Sequence, residues 1–154
     1  MTTPQFKQLR QSYGFDEVAI VPGDVTINPD QTKIDLKIGK INLSIPIIAS
    51  AMDGVTDVRF AIAMSKLGGL AVLNLEGVQT RYDNPDEVLE EIANAAPEEI
   101  TPLLQKVYSQ PIKENLIGER IRAIKNGGGS AAVSAIPANT KKFAPLSVEA
   151  GADI

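Results

Sequence analysis

The sequence predicts an α/β fold built on buried parallel strands and preceded by a β-hairpin. Three observations carry this reading. Residues 34–45 alternate apolar and polar on both sides of Gly39-Lys40. Continuous apolar runs occur at Ile47-Ile48-Ala49, at 70–75 and at 131–136. The second and third runs each follow a helical stripe closed by glycines. Period-two alternation marks a ribbon with one buried face, and an uninterrupted apolar run marks a strand covered on both faces.

Residues 1–32 begin with a polar lead and continue as "FDEVAIVPGDVTINPD". The apolar run Val18-Ala19-Ile20-Val21 is stopped by Pro22-Gly23, and Asn28-Pro29-Asp30 is a second turn signal. In the hairpin, Ile34, Leu36 and Ile38 share a face with Ile41, Leu43 and Ile45. Its expected role is a lid or plug beside the main sheet. The expected division is 1–45, an N-terminal extension with hairpin, and 46–154, three βα units.

After the run at 47–49, Thr56 is the predicted N-cap of a helix, with Asp57 in its first turn. Phe60, Ala63, Met64 and Leu67 form its predicted buried face, which places Met64 in the core, and Gly68-Gly69 ends it. The strand at 70–75 follows. Strand, helix and strand within about 30 residues imply parallel strands joined by a right-handed crossover.

The unit recurs. Ile117, Ile121 and Ile124 mark a stripe through "ENLIGERIRAIKN", then Gly127-Gly128-Gly129 lead into the strand at 131–136. A further helix is expected in "TKKFAPLSVEA" despite Pro145, and Gly151 precedes "ADI", the opening of another strand. Between the second and third strands, 77–126 is an enlarged connection with helical windows at 85–95, where Pro85 takes the first position, and at 100–108. "NGGGS" is not a phosphate loop. A phosphate cradle needs glycine between a strand and a helix N-terminus, and here glycine follows a helix.

Composition removes several chemistries. There is no Cys and no His, so these residues contain no disulfide, thiolate or imidazole. The net charge of −4 argues against nucleic acid or an anionic membrane as partner. No secretory leader and no membrane-length apolar run is visible, and the expected location is the cytoplasm. The acidic residues Asp86, Glu87, Glu90 and Glu91 read as a solvated helix face, and Lys141-Lys142 as exposed charge.

All-parallel strands alternating with helices leave two architectures, an open doubly wound sheet or a (β/α)8 barrel. Both bind ligands at the C-terminal ends of their strands. The candidate site residues are therefore Ser50, Ala51, Met52, Asp53 and Gly54 after the first strand. Asn74, Glu76, Arg81 and Tyr82 follow the second, and Ser134 and Ala135 the third.

"FDEVAIVPG", "IPIIASAMDGVTD" and "AIAMSKLGGLAVLN" occur in that order. Over about residues 13–154 the chain resembles the IMP dehydrogenase / GMP reductase family, and in particular its branch without inserted CBS domains. "SAMDGVT" is the most specific motif, and "LNLEGVQTRYDNP" is similar to the same branch. The resemblance implies a partial (β/α)8 TIM barrel in an assembly of four subunits or more. It implies oxidation of IMP to XMP with NAD, or reduction of GMP to IMP with NADPH, and a monovalent cation such as K+ bound outside this segment. It further implies that Ser50 lies near phosphate and ribose, that Met52 packs on the purine, and that Asp53 braces the loop through backbone N–H groups. Where IMP dehydrogenases carry Thr-His beside the dinucleotide, this chain has Ala135-Ile136. The catalytic Cys and phosphate loop of the family lie further along than Ile154. No catalytic residue is therefore assigned within this chain. Three strands leave open edges of apolar backbone, so completion by a longer chain or by another chain is expected. A non-catalytic barrel fragment that needs a partner is the alternative.

Overall fold

The computed structural model describes residues 10–154. Residues 10–33 belong to a unit of their own, with single 3-10 turns at Phe15–Glu17 and Pro29–Gln31. The run at 18–21 lies outside regular structure. The second unit, Ile34–Ile154, carries the hairpin and all the parallel strands.

The hairpin pairs β1 (Leu36–Ile38) with β2 (Ile41–Leu43), placing Leu36 opposite Leu43 and Ile38 opposite Ile41. Gly39, at φ 58°, takes the first turn position, where a two-residue hairpin loop requires positive φ. The strands are shorter than the alternating pattern. Leu43 is buried in one cluster with Leu70 and Ala132, so the hairpin plugs one face of the main sheet.

That sheet is parallel and runs in chain order, β3 (Ile48–Ala49), β4 (Leu70–Asn74) and β5 (Ala132–Ser134). Ile48 pairs with Leu70, Val72 with Ala132, and Asn74 with Ser134. Asp153 N–H donates to Ala131 O at 2.8 Å and Val133 N–H to Ile154 O at 3.0 Å, so the segment after Gly151 runs beside β5.

The two faces of β4 are sorted by alternation. Ala71, Leu73 and Leu75 enter the main core with Ile117, Ile121 and Ile124 of α5 (Glu114–Asn126) and Phe143 of α6 (Pro137–Glu149). Ile117, Ile121 and Ile124 are fully buried, each contributing about 1.5–3 kcal/mol by leaving water. Leu70 and Val72 face the hairpin, and Asn74 continues that face beyond it.

β3 departs from expectation. The apolar run at 47–49 predicts a strand covered on both faces, yet Ile47 is 55% and Ile48 46% exposed. β3 is an edge strand, paired with β4 on one side.

Helix α1 (Val58–Lys66) departs twice. Its N-cap is Asp57, whose Oδ1 accepts from Phe60 N–H at 2.6 Å. Thr56 is instead buried, its hydroxyl donating to Ser50 O at 2.9 Å. The buried face is centred on Ala61, while Phe60 is 40% and Leu67 68% exposed. Close approach is the reason. Ile62 packs where a Cβ on Gly127 would stand, and Ser65 Oγ accepts from Ser130 N–H at 3.0 Å. Met64 is half-buried and packs against the main core.

The long connection holds α2 (Val78–Arg81), α3 (Pro85–Asn94) and α4 (Ile100–Ser109). The short α2 has no counterpart in the sequence reading. Helix α5 closes at Gly127, with Gly128 at φ 80°, so the triple glycine is a helix-to-strand turn. Helix α6 begins before the stretch "TKKFAPLSVEA", with Pro137 at its first position, and continues through Pro145.

Candidate functional site

The C-terminal ends of β3, β4 and β5 stand side by side because the strands are parallel and sequential. After β3 the backbone turns tightly. Met52 N–H donates to Ser50 O at 2.9 Å, and Val55 and Thr56 N–H donate to Met52 O, each at 2.9 Å. This leaves Ser50, Met52 and Gly54 at the surface, with Met52 57% exposed, and Ala51 half-buried.

Asp53 turns away from solvent. Its Oδ2 accepts from Val78 N–H at 3.0 Å and from Tyr108 O–H at 2.6 Å. Oδ1 is buried without a partner among the described residues. It lies where a Cβ on Gly77 would stand. The carboxylate thus ties the loop after β3 to the start of α2 and to α4. Burial, and behind it the Asp53 carboxylate, push the Tyr108 phenol up to about 12, so the hydroxyl stays a donor across ordinary pH.

After β4, Asn74 Oδ1 accepts from Glu76 N–H at 3.0 Å, closing a local turn. Glu76 reaches the next loop. Its Oε2 accepts from Ile136 N–H at 2.8 Å and its Oε1 from the Asn139 amide, at the start of α6. The favourable end of the helix dipole faces this carboxylate. One device thus appears twice. A carboxylate beyond the end of one strand accepts the backbone N–H that opens a helix of the next connection.

Arg81 and Tyr82 serve the long connection. Arg81 Nε donates to Glu76 O at 3.0 Å, its Nη1 donates to Gln110 O, and its guanidinium lies 6.0 Å from the Tyr108 ring centre. Tyr82 O–H donates to Val107 O at 3.2 Å. Both side chains fasten α4. A cleft of about 500 Å³ opens between the loop after β3, Phe60 of α1, and the α3–α4 arm.

A profile of the IMP dehydrogenase / GMP reductase domain matches residues 12–153. The chain belongs to the IMP dehydrogenase / GMP reductase family. A protein of Mycolicibacterium smegmatis named uncharacterized oxidoreductase is 31% identical over 150 residues, 94% of this chain and 40% of that protein. An inosine-5'-monophosphate dehydrogenase of Korarchaeum cryptofilum is 41% identical over 63 residues, 41% of this chain and 13% of that protein. The crystal structure of an IMP dehydrogenase/GMP reductase-like protein from Corynebacterium glutamicum superposes with a TM-score of 0.84 at 29% identity. That match covers 94% of this chain and 40% of the other. The chain therefore spans about 40% of the length of these full-chain matches.

In this family member, Asn74 and Ser134 are paired in register on the face opposite the helices. Ser50 follows two residues after Ile48, which shares that face with Leu70. Ala135 does not join them, because its side chain packs against the helix-side core. No group of three or more metal-ligating side chains occurs among the described residues, and no helix among them is long and apolar enough to cross a membrane. Tyr108 and Asn139 escape the sequence reading. Each reaches the site from a helix more than 50 residues away along the chain, and neither lies in a local pattern that would single it out.

Proposed function

We propose that this chain supplies the purine nucleotide loop of an NAD(P)-dependent oxidoreductase barrel, acting as an IMP dehydrogenase. One observation carries the reading. The "SAMDG" loop stands at the C-terminal end of a parallel strand, anchored inward through Asp53 while Ser50 and Met52 face solvent. The sequential strand order, with the main core on one face of β4 and the hairpin plug on the other, supports three units of a (β/α)8 wall.

The residues fit a nucleotide. Ala132 and Ser134 are small, and nothing lies within 4 Å of where a Cβ on Gly54 would stand. Ser50 would hold the phosphate and ribose side, Met52 would pack on the purine, and Ala51 and Gly54 would leave room for both. Asn74 and Ser134 would face the dinucleotide. The Ala135 side chain is committed to the core, so it takes no part. The nicotinamide supplies the hydride acceptor when IMP and water give XMP, and NADH forms. This chain's part is to orient the purine C2 toward it, a contribution of proximity. Assembly into homotetramers or larger rings belongs to the same reading.

A second reading, reduction of GMP to IMP and ammonia with NADPH, rests on Ala135-Ile136, which stand where IMP dehydrogenases carry Thr-His. The relatives matching along 94% of this chain carry the name oxidoreductase with no stated substrate, while the K. cryptofilum IMP dehydrogenase matches over 63 residues. Spectrophotometric assay of the full-length protein in both directions tests the proposal. NADH formation that depends on IMP is expected. NADPH consumption that depends on GMP selects the second reading, and absence of hydride transfer with no binding of either nucleotide overturns both.

A further inference from the structure

We propose that Tyr108 is a positioning residue for the nucleotide loop, acting through Asp53 and held in place by Arg81. The inference rests on the nucleotide reading above for its ligand, and on geometry for its mechanism.

Asp53 is the side chain that ties the loop after β3 to its neighbours. Two donors converge on its Oδ2, Val78 N–H at 3.0 Å and Tyr108 O–H at 2.6 Å. The other oxygen is buried and unpartnered among the described residues, pressed against the bare Cα of Gly77. A carboxylate so placed depends strongly on the donors it has, because bonds to a charged acceptor are the strong ones. Without the phenol, Val78 alone holds it. The 500 Å³ cleft beside Asp53 and Gly54 gives the side chain somewhere to swing. Ser50 and Met52 sit within three residues of that anchor, in a turn whose other bonds are internal to it.

Tyr108 is itself aimed. The Arg81 guanidinium lies 6.0 Å from its ring centre and is held by Glu76 O and Gln110 O. The arm that carries Tyr108 has other fastenings, through Tyr82 to Val107 O and Arg81 to Gln110 O. Removing the hydroxyl therefore frees Asp53 without releasing α4.

The test compares the full-length protein with Y108F, D53A and the double variant. Three quantities are read: melting temperature, backbone amide exchange across residues 50–54, and calorimetric affinity for IMP and for GMP. Y108F is expected to melt close to the parent and exchange faster across 50–54. It is expected to bind its nucleotide about three- to tenfold more weakly, the scale of one charge-assisted hydrogen bond that is partly exposed. In the D53A background, Y108F is expected to add no further weakening, a non-additivity that general loosening would not produce. Parent affinity and unchanged exchange in Y108F overturn the proposal. If the parent protein binds neither nucleotide, the functional reading falls and the positioning role for a nucleotide falls with it. Faster exchange at 50–54 in Y108F would then still locate the clasp. If Y108F fails to fold, R81K, which loosens the ring and keeps the hydroxyl, carries the test. A parent-like affinity and exchange there overturn the proposal.

Discussion

The Glu76 carboxylate accepts the Ile136 backbone N–H at 2.8 Å, joining the end of β4 to the first turn of α6 across 60 residues. Asn139 of the same turn donates to its other oxygen. This is the second use of the device that Asp53 makes with Val78, and the two together lock three neighbouring loops in sequence. The three loops are thereby tied to one another through the ends of the strands.

Replacing Glu76 separates the two parts of that bond. E76A removes an acceptor for Ile136 N–H and a negative charge at the start of a 13-residue helix, and is expected to cost about 1–2 kcal/mol. E76Q keeps an acceptor and gives up the charge, and should recover about half of this loss. Chemical denaturation of both variants checks it. Equal losses for E76A and E76Q would assign the whole effect to charge.

Gly77 tests the other lock. Its φ of −91° suits any residue, so G77A brings no backbone strain. It brings a collision, since the new Cβ would overlap the Asp53 carboxylate. Overpacking of this kind costs about 1–3 kcal/mol. The decisive comparison is G77A in a D53A background. There the obstacle is gone, and the penalty is expected to shrink to a few tenths of a kcal/mol. A penalty undiminished by D53A would mean that Gly77 matters for another reason.

Much of this fold was legible in the sequence, and the failures share a cause. The hairpin, the parallel units and helices α3, α4 and α5 of the connection follow from periodicity, which records a residue's own environment. The family resemblance implies a bracing role for Asp53 through backbone N–H groups, but its partners Val78 and Tyr108 lie 25 and 55 residues away, outside any local pattern. Periodicity points to the wrong face of α1 because the helix carries two overlapping stripes. Val58, Ala61, Ile62 and Ser65 form one, Phe60, Ala63, Met64 and Leu67 the other. Hydrophobicity favours the second. Packing chose the first, because Ala61 and Ser65 are small enough for the helix to reach β4 and the Gly127–Ser130 turn. Tyr108 was illegible because its partner is 55 residues away and its helix has an ordinary amphipathic sequence.

The choice of face is measurable. I121A empties a fully buried site and is expected to cost about 2–5 kcal/mol. A61L should cost about 1–3 kcal/mol by forcing α1 off the sheet. F60A, on the half-exposed side, should cost less than either, although Phe60 is the largest residue of the helix. If F60A proves the worst of the three, the stripe led by Phe60 is the buried one after all. Melting curves of the three variants decide the order.

Acid stability should depend on the far end of the sheet. Asp153 Oδ2 accepts from Ala131 N–H at 2.8 Å, and Lys125 Nζ lies 2.7 Å from the same oxygen. Partial burial alone would raise the Asp153 carboxyl, but the Lys125 ammonium and the Ala131 N–H outweigh it and hold the group below its ordinary value near 3.8. A carboxyl held low in the folded state binds its proton less tightly there than in the unfolded chain. Its contribution is therefore complete above the ordinary value and disappears as pH falls through the folded one. D153N should leave the acid limb of the stability curve shallower below about pH 4, while lowering stability at neutral pH. K125M should lower neutral stability as well and move the residual Asp153 titration upward. Because both side chains are about one-third exposed, added salt should narrow the difference between parent and K125M. An acid limb unchanged in D153N would place the proton uptake that unfolds this region on another carboxylate.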